Sequence, residues 1–160
     1  MEQFWGLLLA ACFSTACWAQ SDSFLKTFDH SAVKAGAVHE SCYHYPCTVT
    51  KVLEVKSIEP IGDAERVELV TIEGDRDRDS KKVEWHQSHE TLLYCSWDNP
   101  KYGFSENDAQ ELPFNDEDFF PGVLVDTGML YLWVCHNAHD ELEKASIKDI
   151  AKRYGYGPLK

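Results

Sequence analysis

The segment Cys47-Thr-Val-Thr-Lys-Val-Leu-Glu-Val-Lys-Ser-Ile58 decides the fold, because its wealth of β-branched residues is typical of a strand. A turn signal follows at residues 60–64, which contain Gly62-Asp63. The next segment, Glu65-Arg-Val-Glu-Leu-Val-Thr-Ile72, begins with alternating polar and apolar residues. The two segments predict a hairpin, since a short connection forces neighbouring strands to run antiparallel.

Two further strands are predicted beyond a polar tip. Residues 74–80, Gly-Asp-Arg-Asp-Arg-Asp-Ser, alternate in charge and indicate a solvated hairpin tip. Lys82–His86 and Glu90–Ser96 then complete an antiparallel meander of about four strands. The chain is long enough to bury a core of its own, so disulfides would reinforce the fold and are not required for it.

The C-terminal part of the sequence predicts a helix and leaves one element open. Residues 127–136 are apolar throughout, and periodicity cannot decide between a buried helix and a buried strand. Ser146 and Asp149 form a capping box, which predicts the start of a helix. The apolar face of that helix is Ile147, Ile150, Ala151 and Tyr154. We therefore expect an α+β fold, a meander with a C-terminal helix packed on it.

Residues 4–19 are uncharged and indicate a signal peptide, although no Lys or Arg precedes them. The run is too short to span a bilayer as a helix, which takes about 20 apolar residues. Cys17 and Ala19 are small residues at the positions that a signal peptidase reads, which predicts cleavage before Gln20. We expect residues 1–19 to be a signal peptide and residues 20–160 to be a single extracytoplasmic domain, periplasmic or secreted.

A lipid anchor is the alternative for this leader. Leu9-Ala10-Ala11-Cys12 resembles a lipobox, after which Cys12 would be acylated. Cleavage before Gln20 leaves an even set of cysteines, whereas cleavage before Cys12 leaves one thiol unpaired. The even set favours the form without lipid and consists of Cys42, Cys47, Cys95 and Cys135. The oxidising compartment outside the cytoplasm favours disulfides between them.

The strong negative charge restricts the class of partner. The chain has 27 acidic and 15 basic residues and a net charge of −12 at pH 7. This charge disfavours nucleic acids and anionic membrane surfaces, both of which attract basic proteins. A cationic protein would be attracted by the field of the chain. Solubility alone also explains an acidic composition.

The stretch Cys42-Tyr-His-Tyr-Pro-Cys47 is the first candidate for a binding site. If its two cysteines are bonded to each other, they close a small loop that holds its other residues in a restricted shape, which lowers the entropy lost on binding. The candidate partner-binding residues there are Tyr43, His44, Tyr45 and Pro46. In the alternative each cysteine bonds to a distant strand, and four cysteines allow three connectivities.

An acidic and aromatic segment, residues 104–120, is the second candidate. Its acids Asp116, Glu117 and Asp118 would attract a basic partner, and its phenylalanines would add affinity. The alternative is a solvated loop pinned by buried aromatic side chains. The acids do not have the ligand register of a calcium loop. We expect no cofactor and no metal.

The histidines support a second class of function, a secreted hydrolase or a metal-binding protein. The two pairs are His86-x-x-His89 and His136-x-x-His139, and zinc or copper accepts such ligands. A free thiolate of Cys95 or Cys135 beside His136 or His139 would be a nucleophile and its base. Neither pair has zinc-finger spacing, and residues i and i+3 of a strand point to opposite faces.

The Cys42–Cys47 stretch resembles the inhibitor-of-vertebrate-lysozyme family, whose cysteine-bounded loop of the same spacing carries a proline and a histidine that enters the lysozyme cleft. The resemblance implies that His44 and Pro46 have these roles, although here the histidine precedes the proline. Tyr94-Cys95-Ser96, Pro100 and Val134-Cys135-His136 are similar to segments of small uncharacterised exported bacterial proteins, which implies that Cys95 pairs with Cys135. We therefore expect a non-enzymatic binding protein, an inhibitor or immunity protein against a basic cell-wall hydrolase.

Overall fold

The computed structural model of the protein describes residues 27–117, 120–140 and 142–158. The expected signal peptide, the alternative anchor at Cys12 and the candidate residue Asp118 lie outside these residues. The centre of the molecule is a six-stranded antiparallel sheet in which the strands follow one another in chain order. The strands are β1 (Val38–Ser41), β2 (Cys47–Ile61), β3 (Ala64–Arg76), β4 (Glu84–Cys95), β5 (Lys101–Gly103) and β6 (Gln110–Glu111).

The β2–β3 hairpin confirms the prediction made from the first two apolar segments. Its strands pair from Cys47 with Arg76 to Ile61 with Ala64, so the connection is the two-residue turn Gly62-Asp63. Gly62 has a φ of 60°, a conformation that glycine adopts without a steric cost. Two bulges in β2 bend the hairpin between Val52 and Ser57.

The strand count is higher than predicted, and one predicted division is wrong. Lys82–His86 and Glu90–Ser96 were expected as separate strands, but β4 runs without a turn from Glu84 to Cys95. The polar residues between them remain in the sheet because their backbone pairs with β3, as in the pair Ile72 and Ser88. The additional strands β1, β5 and β6 are two to four residues long, too short for a periodic pattern to show.

The apolar run at residues 127–136 is a helix, α1 (Val125–His136), preceded by a single 3-10 turn at Gly122–Leu124. Ten of its twelve residues are buried. The sheet lies on one side of α1 and the C-terminal helix lies on another. A helix covered on several sides is apolar all round, and this is why its sequence had no helical periodicity.

The C-terminal helix α2 (Ile147–Arg153) begins and ends where the sequence predicts. The Ser146 side chain accepts a hydrogen bond from the backbone N–H of Asp149, and Gly155 beyond the helix has a φ of 93°. The helix packs mainly against α1 rather than directly on the sheet. The contact is close, because a Cβ atom on Gly128 of α1 would lie 2.6 Å from Cδ1 of Ile147.

A disulfide and a buried hydroxyl attach α1 to the end of β4. Cys95 is bonded to Cys135, which selects the pairing implied by the second resemblance. The Tyr131 hydroxyl accepts from the Ser96 N–H at 2.9 Å and donates to the Tyr94 carbonyl at 3.1 Å. Across the described ranges, no helix combines the length and the apolar character needed to cross a membrane.

Candidate functional site

The Cys42–Cys47 stretch forms a loop closed by its own disulfide between β1 and β2. The two Cα atoms lie 4.3 Å apart. Cys47 is fully buried, whereas the four residues between the cysteines are all exposed, namely Tyr43, His44, Tyr45 and Pro46. The loop therefore projects its side chains from one end of the sheet while its second cysteine is fixed in the core.

The base of the loop is attached to α1 by one carboxylate. Asp126, in the first turn of the helix, accepts hydrogen bonds from the hydroxyl of Ser41 and, at 3.4 Å, from that of Thr48. These two residues flank the loop on either side. The N-terminal end of a helix also stabilises a negative charge. Asp126 thus holds both ends of the loop in a fixed position relative to α1.

The Tyr43 side chain lies against the turn that precedes α1. A Cβ atom on Gly122 would lie 3.3 Å from Cε1 of Tyr43, so the ring occupies the space that the glycine leaves. The His44 ring lies 4.1 Å from the Tyr43 ring between centroids. These contacts give the exposed rings a defined arrangement.

Residues 74–80 were predicted as a solvated hairpin tip, but residues 74–76 belong to β3 and the turn begins at Asp77. This segment contacts the loop. Nε of Arg76 donates to Glu40 of β1 at 2.7 Å, and this hydrogen bond raises the pKa of Arg76. Another nitrogen of Arg76 donates to the Ser80 carbonyl at 3.2 Å. The Arg78 guanidinium lies 4.3 Å from the centroid of the Tyr45 ring, a cation–π contact. Composition marked these arginines as solvated, but the pairing of Cys47 with Arg76 places them beside the loop.

The second candidate segment has different neighbours. Asp116 and Glu117 are exposed, and the backbone carbonyl of Asp116 accepts a hydrogen bond from Lys148 of α2. Phe114 and Phe120 of the same segment are buried in the core. This arrangement is the alternative considered above, an exposed acidic loop pinned by buried aromatic side chains.

The four histidines of the alternative function have separate surroundings. His86 is exposed, with Nε2 3.1 Å from Asp75, and Nε2 of His89 lies 3.2 Å from the hydroxyl of Thr71. His139 is exposed at the end of α1. His136 is buried, its Nε2 lies 2.8 Å from the Tyr156 hydroxyl, and burial lowers its pKa to about 4.

Cysteine chemistry in the described residues is limited by the disulfides. Within the described ranges, one group of side chains, Glu40, Cys42 and Cys47, places its potential metal ligands within 4.8 Å of one another. Its two sulfur atoms are bonded to each other, and metal binding requires the thiolate form. Cys95 and Cys135 are likewise oxidised, so neither provides the thiolate that the hydrolase alternative requires.

A buried histidine that the sequence did not single out connects β1 to α1. His39 stacks on Trp133 with 5.3 Å between ring centroids, and its Nε2 is buried without a hydrogen-bond partner in the described part of the chain. Burial, followed by the nearby charge of His139, lowers its pKa to about 4. A neutral His39 is therefore part of the support for the strand that leads into the loop.

No family model matches this sequence, and no curated protein or solved structure matches it either.

Proposed function

We propose that this is a non-enzymatic extracytoplasmic binding protein, an inhibitor or immunity protein that acts on a basic cell-wall hydrolase of the lysozyme type. The observation that carries the proposal is the Cys42–Cys47 loop, which is closed covalently and presents exposed aromatic side chains. A preorganised loop loses little entropy on binding. Aromatic side chains are also the usual anchors of protein interfaces.

In this mechanism the loop enters and blocks the substrate cleft of the hydrolase. His44 is exposed between the two tyrosines, so its imidazole is available to the carboxylates of such a cleft. The attachment of the loop base to Asp126 would keep the loop from folding back when it meets the cleft wall. The net charge, which is −11 once Glu2 is removed with the leader, would accelerate the encounter with a cationic enzyme, most strongly at low salt.

The proposed location is the periplasm or the cell exterior, after removal of residues 1–19. Two disulfides are compatible with an oxidising compartment. Intact mass measurement and N-terminal sequencing of the exported protein test this part directly. A mature chain that begins at Gln20 is expected, and one that begins at an acylated Cys12 would identify the lipid-anchored alternative.

The inhibitory function is tested by titrating lysozymes and cell-wall amidases with the purified protein. We expect stoichiometric loss of activity for at least one cationic enzyme, and we expect His44→Ala to weaken it by about tenfold or more. Ile58→Ala is the control, because Ile58 is 39% exposed but lies near the far end of the β2–β3 hairpin. Absence of inhibition and of binding across a broad panel would refute the proposal.

A further inference from the structure

We infer that the Cys42–Cys47 loop is the centre of a wider docking surface, which adds Val123 and two adjacent acidic grooves and fits a cleft with an apolar wall and Lys or Arg side chains on its rim. The inference deepens the proposed function and rests on it. It names the chemistry of the partner and residues outside the loop that would recognise it.

Val123 extends the apolar part of the loop. Its side chain is 89% exposed, which is unusual for a valine in a structured turn. The adjacent residue Gly122 is in contact with the Tyr43 ring, which is itself 39% exposed. Val123 thus adds an exposed apolar side chain one residue away from the glycine beside the Tyr43 ring, and contiguous exposed apolar surface marks interaction sites more often than isolated exposed residues do.

The first groove lies between the loop and the connection from α1 to α2. It has a volume of about 360 Å³, and its floor includes Met129 and Leu142. Glu40, Asp140 and Glu143 contribute three acids against the single base Arg76. Glu40 and Asp140 are already paired with arginines, whereas the Glu143 side chain is exposed. A long cationic side chain fits this combination of apolar floor and acidic rim.

The second groove lies beside Tyr45 of the loop, at the tip of the β3–β4 hairpin. It is lined by Tyr45, Asp77, Arg78, Asp79 and Ser80. Arg78 already covers one face of the Tyr45 ring, which shows that this ring accepts a guanidinium. The two exposed aspartates leave the groove with a net negative charge.

The negative charge of the two grooves determines which class of protein can bind this surface. Acidic grooves lie next to Cys42 and next to Tyr45, so a partner that buries the loop must place the rim of its cleft against these acids. Opposite charges on the rims lower the energy of that arrangement, and acidic rims would repel it. The partner is therefore a cationic protein whose basic residues flank the cleft, rather than one whose positive charge lies elsewhere.

The apolar part of the inference is tested with Val123→Ser, measured as binding to the cationic hydrolase that the titration identifies. We expect about tenfold weaker binding, as for a residue in the centre of an interface. Ile61→Ser is the matched control, because Ile61 is 47% exposed but lies at the far end of the β2–β3 hairpin. Equal affinities of the Val123 and Ile61 variants would overturn the inclusion of Val123.

The acidic part is tested by reversing two charges, Asp79→Lys with Glu143→Lys, against a distant pair, Glu59→Lys with Asp63→Lys. Both double variants change the net charge by the same amount. Glu59 lies 12 residues beyond Cys47 along β2, which corresponds to about 40 Å at about 3.3 Å per residue. Charges are screened over about 8 Å at physiological salt, so the distant pair samples only the long-range field.

We expect the groove pair to slow association about tenfold and to lose most of this effect at high salt, whereas the distant pair changes it little. Equal effects of the two pairs would show that only the overall charge matters. The claim that the two acidic grooves face basic residues of the partner would then be overturned. If His44→Ala weakens binding but neither Val123→Ser nor the groove pair does, the inference fails and the proposed function stands. If the unaltered protein binds no enzyme of the panel, both fail.

Discussion

The two disulfides of this protein have opposite surroundings. Cys42–Cys47 joins residues five apart in the sequence and closes a loop whose side chains face solvent. Cys95–Cys135 joins residues 40 apart, and both of its cysteines are fully buried between β4 and α1. Closing a long loop removes more entropy from the unfolded chain than closing a short one. The buried disulfide therefore stabilises the fold, and the surface disulfide mainly determines the shape of the loop.

Each disulfide also has a buried neutral histidine close to it. His136 follows Cys135 at the end of α1, and His39 lies three residues before Cys42 on β1. The pKa of both is lowered to about 4, with burial as the largest cause. The two regions thus share a sensitivity to acid although their disulfides serve different purposes.

Removal of the buried disulfide has the largest expected effect. For Cys95→Ala with Cys135→Ala, we expect the free energy of unfolding to fall by about 4 kcal/mol, because the closed loop spans 40 residues. Urea unfolding monitored by tryptophan fluorescence measures it. A smaller loss than that for the surface disulfide would contradict the assignment of the stabilising role to Cys95–Cys135.

Acidification has the next largest expected effect on stability, through each of the two buried histidines. The pKa of His39 and His136 is about 4 in the folded protein and about 6.5 in the unfolded chain. The part of the folding stability that requires these histidines to be neutral is therefore complete above pH 6.5 and is lost as the pH falls to 4. We expect about 3 kcal/mol for each histidine. Unfolding at several pH values between 7.5 and 4 measures it, and His39→Gln and His136→Gln should each flatten the profile. A profile that is already flat in the unaltered protein would contradict the prediction.

Removal of the surface disulfide has a smaller effect on stability. For Cys42→Ala with Cys47→Ala, we expect a loss of about 2 kcal/mol, since the closed loop spans five residues. Binding to the partner should weaken more than this loss of stability would suggest, because the loop is no longer preorganised. Calorimetric binding at a temperature where the variant is folded separates the two effects, and unchanged affinity would show that the loop does not need its disulfide.

Neutralising the carboxylate at the base of the loop has the smallest effect. For Asp126→Asn we expect a loss of about 1.5 kcal/mol, because a hydrogen bond to a charged group contributes about 1.5–3 kcal/mol and the amide oxygen still accepts one of the two bonds. The measurement is again urea unfolding, and Asp116→Asn, an exposed acid whose known contact is through its backbone, is the control. Equal stabilities of the two variants would mean that Asp126 does not hold the loop.

The sequence predicted those parts of the fold whose signals are local. The β2–β3 hairpin and the start of α2 depend on turn and capping residues a few positions apart, so their prediction succeeded. The nature of α1 could not be predicted, because a helix buried between the sheet and α2 has no polar face. The continuity of β4 across its polar residues depends on pairing with β3, which is a contact between distant parts of the chain.

The same distinction applies to the candidate site. The Cys42–Cys47 stretch and its aromatic residues were visible as a motif of six positions. The residues that support it come from far along the chain, namely Arg76, Arg78, Gly122 and Asp126. Sequence reasoning missed them because side chains of these types at exposed turns and helix ends are common. Only the register of the sheet and the position of α1 bring them to the loop.

The Asp126 carboxylate has a consequence for the behaviour of the loop in reducing surroundings. Its hydrogen bonds to Ser41 and Thr48 bring together the same two chain segments that the Cys42–Cys47 bond joins. One closure is covalent and is opened by thiols, whereas the other is polar and is insensitive to them. A reductant would therefore loosen the tip of the loop while leaving its two stems side by side, so re-oxidation would find the sulfur atoms already near each other.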